Sequence, residues 1–445
     1  MPEFNPPTSE VEFEENFAQI KPLMSDTQAY YESSRCLFCY DAPCVNACPT
    51  GIDIPLFIRQ INSGNTMGAA KTIYDSNYFG HACGKVCPTE VLCEGSCVYI
   101  HQNVKPIEIG RLQSFATAKA ITSDKKLFTP VPAAIGPNGK KVAVIGAGPA
   151  GISCACELRM YGFEVDIFEA KENPSGLTMH GVAPYKITNE EVLSEMNYLE
   201  KQFGFKVHYN KAISTQEEIQ SIEKKYNAIF LGIGLGETSE LKIKGEELIN
   251  VYGATEFIEL LRMNHHNVSV PDKVIVLGGG NTAMDAASES ARMGAEKVIL
   301  AYRRSMEEMP AYGFEYELAK SVGVEGVFNV SPVEIVGNRK VEGVKFIRTK
   351  SELRKVSIIP GSEFIQECDW VIKATGQSKQ VELLKLIRNI SLDDKGRISV
   401  DKKNFQTKNP KYFAAGDAVS GGQEVVNAVA DGKKAARAIK SLLGD

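Results

Sequence analysis

Eight of the eleven cysteines fall between positions 36 and 97, in two groups. Cys36, Cys39, Cys44 and Cys48 run C-x2-C-x4-C-x3-C with Pro49 directly behind, and Cys83, Cys87, Cys93 and Cys97 follow, with Pro88 behind Cys87. Closely spaced thiolates can wrap one inorganic core, and a fourth cysteine followed by proline reaches across to a second cluster. The spacing therefore predicts electron transfer through two iron–sulfur clusters that share ligands between the groups. Two other uses compete with it. A disulfide framework needs an oxidising compartment, and the opening MPEFNPPTSEVEFEENF lacks the basic-then-apolar pattern of a secretory signal. Structural zinc favours two short-spaced pairs per site, which the unequal gaps and prolines fit less well.

Two glycine-rich turns supply a second chemistry. KVAVIGAGPAGISCACELRMYGFEVDIFEA reads as an apolar strand, a G-x-G-x-x-G turn, a helix and a second strand ending in an acid. Gly146 permits the tight turn, Gly148 lets the backbone approach a pyrophosphate, and Gly151 allows close helix–strand packing; Pro149 and Ala150 open the helix whose N-terminus receives the phosphates. Glu169, at the end of the second strand, is placed to accept from the ribose hydroxyls. KVIVLGGGNTAMDAASESARMGAEKVILAYRRS repeats the pattern with Gly278, Gly279 and Gly280 in the turn and Asn281 and Thr282 opening the helix. Its second strand ends in Arg303 and Arg304 instead of an acid. Arginine there can pair with a 2′-phosphate, which leans towards NADPH over NADH, whereas arginines that merely face solvent remain the plainer reading. Near the C-terminus, KYFAAGDAVSGGQEVVNAVADGKKAARAI gives a strand, Gly416-Asp417, and a loop through Glu424 and Val425 into a helix. Such a segment suits the pyrophosphate–ribityl part of FAD, with the helix N-terminus near the isoalloxazine.

These sites need elements to hold them. A chain of 445 residues with 43% hydrophobic content can bury about three cores. The net charge of −5 speaks against nucleic acid, and no apolar run reaches the length of about 18 residues that spans a bilayer; a cytoplasmic location is expected. Residues 1–30 are acidic and proline-containing and read as an extended or loosely docked arm. Residues 1–126 are expected to form a helical double-cluster domain with short helices such as Ile54–Ile61 and Met67–Tyr74. Residues 127–139, LFTPVPAAIGPNG, read as a linker. Residues 140–255 and 369–445 are expected to form the FAD domain, interrupted by a nicotinamide domain at 256–368, with WVIKATGQ (370–377) as the strand crossing back. The fold class is then α/β: a helical N-terminal iron–sulfur domain followed by two nested Rossmann-like domains. Cys154, Cys156 and Cys368 read as core residues. The nicotinamide segment has no C-x-x-C, which disfavours disulfide reduction. Lys71, Lys85 and Arg111 read as surface charges near the clusters.

With these motifs in place, the chain resembles the electron-input half of dihydropyrimidine dehydrogenase, a separate subunit in many bacteria, and is similar to glutamate synthase small subunits. The resemblance runs from about Ser34 onward and is most specific in RCLFCYDAPCVNACPTGIDI and HACGKVCPTEVLCEGSC. It implies a first [4Fe-4S] cluster on Cys36, Cys39, Cys44 and Cys97, and a second on Cys48, Cys87 and Cys93 with Gln113 as a non-cysteine ligand. Counting alone divides eight cysteines four and four; the resemblance leaves Cys83 out. A glutamine at this place looks like the pyrimidine branch, and a glutamate like the glutamate synthase branch. Leu177 and Lys186 fall in the flavin-facing stretch SGLTMHGVAPYKIT, an altered form of the family's GGLxxxGIPxxxLP, with lysine where relatives often carry arginine. The resemblance implies hydride transfer from NAD(P)H to FAD and single-electron delivery through the clusters to an FMN- and iron–sulfur-containing partner, in a hetero-oligomer that reduces uracil or thymine. A glutamate synthase small subunit or a ferredoxin-linked reductase is the alternative. No residue is singled out as an acid–base catalyst.

Overall fold

The computed structural model describes residues 4–132, 135–136, 139–353 and 355–444; residues 1–3, 133–134, 137–138, 354 and 445, among them the middle of the stretch read as a linker, lie outside. Contacts divide the chain into two compact units. One comprises Ile20–Met179, Lys186–Leu235 and Lys379–Asp445, and the other Met1–Gln19, His180–Tyr185 and Gly236–Ser378.

The first unit begins with helices that follow from local signals. Asp53 Oδ1 accepts from Leu56 N at 3.1 Å and so caps helix Ile54–Asn62, in which Ile54, Phe57, Ile58 and Ile61 form one buried stripe. Asn65 caps Thr66–Ser76 in the same way. These helices and the largely buried helix Ile109–Ser123 share a core against which Cys36, Cys44, Cys48, Cys93 and Cys97 pack. Within the stretch read as a linker, Phe128 is buried and packs on the tilted Phe203 ring at 4.8 Å while Gln202 Oε1 accepts from its backbone N–H. A five-stranded parallel sheet follows, ordered Tyr412–Ala414, Ala228–Leu231, Lys141–Ile145, Glu164–Phe168, Lys206–His208. Its central strands are near-continuous apolar runs because helices cover both faces. Helix Pro149–Met160 carries the buried Cys154 and Cys156 into this core.

The second unit holds a parallel sheet ordered Val251–Gly253, Trp370–Lys373, Lys273–Leu277, Lys297–Tyr302, Glu325–Phe328. Trp370–Lys373 therefore sits inside this sheet and is not the strand crossing back that its sequence suggested; an apolar run of four does not state which parallel neighbour it pairs with. Strand Val341–Glu352 also forms an antiparallel sheet with Val330–Gly337, Lys355–Ile358 and Phe364–Glu367, an addition the two-turn pattern did not announce. The acidic arm is not extended. Ser9 caps helix Glu10–Asn16, and Phe13 and Phe17, stacked at 4.4 Å, are buried in the same core as Phe257 and Leu261. An i, i+4 pair hidden among four glutamates is easily passed over. Among the described residues no helix is long and apolar enough to cross a membrane.

Candidate cofactor sites

The first glycine turn is built by close backbone approach. Gly146 has φ +100°, and a Cβ there would stand 2.5 Å from Gly232 O, while one on Gly151 would collide with Gly146 O. Gly148 is different: its Cβ would meet nothing nearer than 3.9 Å, and helix Pro149–Met160 beyond it has no side-chain cap. The first-turn N–H groups are thus left for an outside acceptor, as a pyrophosphate requires. Glu169 is buried, its Oε2 accepting from Ala147 N at 2.7 Å and its Oε1 from Lys171 N at 2.9 Å. It therefore pins the turn as well as presenting carboxylate oxygens beside it. Other expected residues come to the same place. Ser175 N donates to Ala147 O at 2.8 Å, and Gly176, just before Leu177, comes so close to Gly148 that a Cβ would lie 3.1 Å from its Cα. A Cβ on Gly416 would lie 3.0 Å from that of Ala150, and Gly432 of helix Val425–Leu443 packs directly on Ala150 O. Lys186 is buried, Glu424 stands at the N-terminus of helix Val425–Leu443, and burial pushes Asp417 up to about 6 while Gln423 N donates to its Oδ1.

In the second unit, Gly278 has φ +156° and no room for a Cβ beside Ala374 O. A Cβ on Gly279 would press on the Tyr302 ring, whereas Gly280 faces open space and precedes the uncapped helix Asn281–Arg292, in which Thr282 is half-buried. Asn281 Oδ1 accepts from Tyr312 N at 3.0 Å. Arg303 is exposed, and Arg304 is half-buried with Nη1 donating to Tyr302 Oη at 3.2 Å. Both follow strand Lys297–Tyr302, at the edge where a nucleotide ribose lies in such sheets.

The cysteines surround two cavities. Cys36, Cys39, Cys44 and Cys97 line one, with Ile54, Ile58 and Tyr99 among its walls. Tyr99 Oη donates to Arg35 O at 2.7 Å, tying the Cys97 segment to the Cys36 segment. Cys48, Cys83, Cys87, Cys93 and Gln113 line the other, together with Asn77 and with Val426 from the helix after Gly416-Asp417. Gln113 is buried and its Nε2 donates to Gly80 O at 2.7 Å, leaving Oε1 as its donor atom for a metal. Burial pushes the Cys44 thiol up to about 12 and raises Cys36 and Cys93; Cys87 is raised first by its hydrogen bond with Cys83 and then by burial. A cysteine gives up its thiol proton when it takes a metal. Among the described residues no three His, Cys, Asp or Glu side chains converge on a point as a single ion requires. Sulfur donors spread round a void fit a many-atom iron–sulfur core. All eleven cysteines are free.

Spacing did not reveal Asn77 or Val426, nor the groups that fix the second cavity. Glu195 Oε1 and Oε2 accept from His81 N and Ala82 N at 2.6 and 3.0 Å, at the start of helix Gly80–Val86. Lys85 is not a surface charge: it is 1% exposed and paired with Glu191 at 2.8 Å, because helix Asn189–Phe203 covers it. Lys71 pairs with Asp75 and Arg111 with Glu108, both near the surface.

Known proteins resemble the chain over both regions. A family described as dihydropyrimidine dehydrogenase domain II, 4Fe-4S cluster, matches residues 13–125, and pyridine nucleotide-disulphide oxidoreductase matches residues 140–432. The glutamate synthase [NADPH] small chain of Escherichia coli is 35% identical over 449 residues, covering 96% of this chain and 94% of its own. The NAD-dependent dihydropyrimidine dehydrogenase subunit PreT of the same organism is 32% identical over 425 residues, covering 96% and 97%. Among solved structures, Mycobacterium tuberculosis FprA in complex with NADPH superposes with a TM-score of 0.57 at 18% identity over 68% of this chain and 85% of its own, which speaks to the fold alone. The chain belongs to the pyridine nucleotide-disulphide oxidoreductase family, as an iron–sulfur, FAD- and NAD(P)-binding electron-transfer protein related to glutamate synthase small chains and to PreT.

Proposed function

We propose that the chain is the NAD(P)H-oxidising, electron-input subunit of a dihydropyrimidine dehydrogenase-type enzyme, working in the cytoplasm with a partner that contains FMN and iron–sulfur centres and reduces uracil or thymine. The observation that carries this reading is Gln113. It is the residue on which the pyrimidine resemblance turns, and it lies buried in the wall of the cavity shared by Cys48, Cys87 and Cys93. When bound, the flavin supplies the exchange between two-electron nicotinamide chemistry and one-electron cluster chemistry. The chain's own residues bind and orient. Gly148 and Ala150 offer backbone N–H groups to the FAD pyrophosphate, with Pro149 opening the helix between them, Glu169 the ribose contact, and Asp417, Glu424 and Val425 the segment against the rest of FAD, with Leu177 and Lys186 facing it. Gly278, Gly279, Gly280, Asn281 and Thr282 receive the nicotinamide nucleotide, and Arg303 and Arg304 favour a 2′-phosphate. Cys36, Cys39, Cys44 and Cys97 hold one [4Fe-4S] cluster, and Cys48, Cys87, Cys93 and Gln113 the other. The flavin part, expected at 140–255 and 369–445, is taken to comprise 140–179, 186–235 and 379–445, and the nicotinamide part, expected at 256–368, to comprise 180–185 and 236–378.

A second reading, the small chain of a glutamate synthase, is favoured by the 35% identity to that protein over nearly the whole chain. Copurification separates the two. The pyrimidine reading expects a partner with which the chain supports uracil-dependent NAD(P)H oxidation. A partner that instead supports glutamine- and 2-oxoglutarate-dependent oxidation gives the reading to glutamate synthase.

A further inference from the structure

We infer that Asn77 donates a hydrogen bond from Nδ2 to a sulfur of the cluster in the second cavity and thereby raises that cluster's reduction potential, an inference that rests on reading this cavity as a cluster site. Asn77 is 0% exposed and lines the cavity with Cys48, Cys87, Cys93 and Gln113. Its orientation is set by chemistry. The backbone N–H of Phe79 donates to Oδ1 at 2.9 Å, and a donor can be met only by the carbonyl oxygen of the amide, so Nδ2 occupies the other side. That Nδ2 is buried and has no acceptor among the described residues. Most buried side-chain N–H groups are hydrogen-bonded, and one left over beside a cofactor-sized cavity is suited to a partner that arrives with a ligand.

The neighbouring polar groups are already engaged. Gln113 Nε2 donates to Gly80 O at 2.7 Å, and Thr89 Oγ1 receives Lys21 Nζ at 2.9 Å. Asn77 therefore brings an uncommitted neutral donor to the cavity wall. A cluster with thiolate and sulfide sulfurs is anionic and becomes more so when it takes an electron. A donor to sulfur stabilises the reduced form more than the oxidised form, and hydrogen bonds to sulfur are among the terms that set such potentials. Because Val426 brings the helix after Gly416-Asp417 to this same cavity, the tuned cluster is the one beside the flavin part. Raising its potential favours electron entry from that side.

The test uses the loaded protein. Asn77→Ala removes the donor, whereas Asn77→Asp keeps an oxygen for the Phe79 N–H and replaces the donor with an acceptor. The second cluster's signal is identified as the one altered by Cys48→Ser, and its potential is read by redox titration with paramagnetic resonance. In Asn77→Ala the one-electron equilibrium should move about tenfold towards the oxidised cluster, equal to ~59 mV for a one-electron couple. Asn77→Asp should move it further, with the first cluster unchanged in both. In unsubstituted protein labelled with 15N-asparagine, the reduced cluster should couple magnetically to one amide nitrogen and its exchangeable proton. An unshifted second potential in iron-replete Asn77→Ala overturns the inference. So does the absence of that coupling in the unsubstituted protein, even if both variants fail to fold. Unsubstituted protein with no signal altered by Cys48→Ser removes instead the reading of the cavity as a cluster site.

Discussion

Asp417, proposed above to contact FAD, is held in the fold at a cost. Burial comes first among the causes that push it up to about 6, followed by the charges of Glu424 and Asp431, while the Gln423 N–H and Lys379 act the other way. The folded protein therefore holds this proton more tightly than the unfolded chain, and stability falls as pH rises from about 4 to about 6. In flavin-free protein Asp417→Asn should be more stable than the parent above pH 6 by about 3 kcal/mol, the difference closing towards pH 4. Urea melts across that range measure it, and a difference independent of pH rules out this account. Gln113 makes a separate prediction. Gln113→Leu should lose or convert the second cluster while FAD and the first cluster stay bound, and unchanged spectra in both redox states return Cys83 to the ligand set. At the nucleotide site, neutralising Arg303 and Arg304 together should weaken NADPH far more than NADH. Equal kinetic constants for the two nucleotides in the unmodified protein remove that argument.

At the scale of elements, buried charge ties the cysteine helices to the flavin sheet within one unit. Lys433, 4% exposed on helix Val425–Leu443, donates to Asp75 O at 2.5 Å at the end of helix Thr66–Ser76, lies 3.6 Å from Glu157 Oε2 and covers the Tyr78 ring. Glu157, on helix Pro149–Met160, also accepts from Tyr78 and Tyr161 at 2.8 Å and from Arg437 Nε at 3.0 Å. A second tie runs from Glu195 to His81 N and Ala82 N. Removing one member of a buried pair strands the other, at about 3–5 kcal/mol. Lys433→Met should therefore lower stability by that order in a denaturant melt, and adding Glu157→Gln should recover part of the loss. A loss no larger than that of an exposed lysine such as Lys395 shows that the tie carries no strength.

The whole molecule has two glycine turns and cysteine-lined cavities, and the family membership is that of electron-transfer proteins. Under the proposed function the chain alone should oxidise NAD(P)H with artificial acceptors and reduce neither uracil nor thymine. Adding the FMN-containing partner should complete the path, and Gly148→Trp, which fills the space left for the pyrophosphate, should abolish both activities. Pyrimidine-dependent NAD(P)H oxidation by the isolated chain contradicts this division of labour.

The linear sequence by itself determined what spacing encodes. A glycine turn between an apolar strand and an amphipathic helix is a local device, so both dinucleotide turns and the α/β class were legible from residues such as Gly146 and Gly278. Cysteine spacing likewise announced cluster chemistry, and the family resemblance supplied the grouping of Cys97 with Cys36 that spacing cannot give. Tertiary structure decided what depends on contacts distant in sequence. Phe13 and Phe17 lie in an acidic stretch, and only the core they enter shows them to be anchors. Trp370–Lys373 is an apolar run whose neighbours are set by a parallel register with Val251–Gly253 and Lys273–Leu277. Lys85 reads as a surface charge until Glu191, more than a hundred residues away, is seen to cover it. Asn77 shows the same limit: its carbonyl answers a local N–H, and only the fold shows that its amide nitrogen is buried with no partner among the described residues and that the residue lines a cysteine-lined cavity.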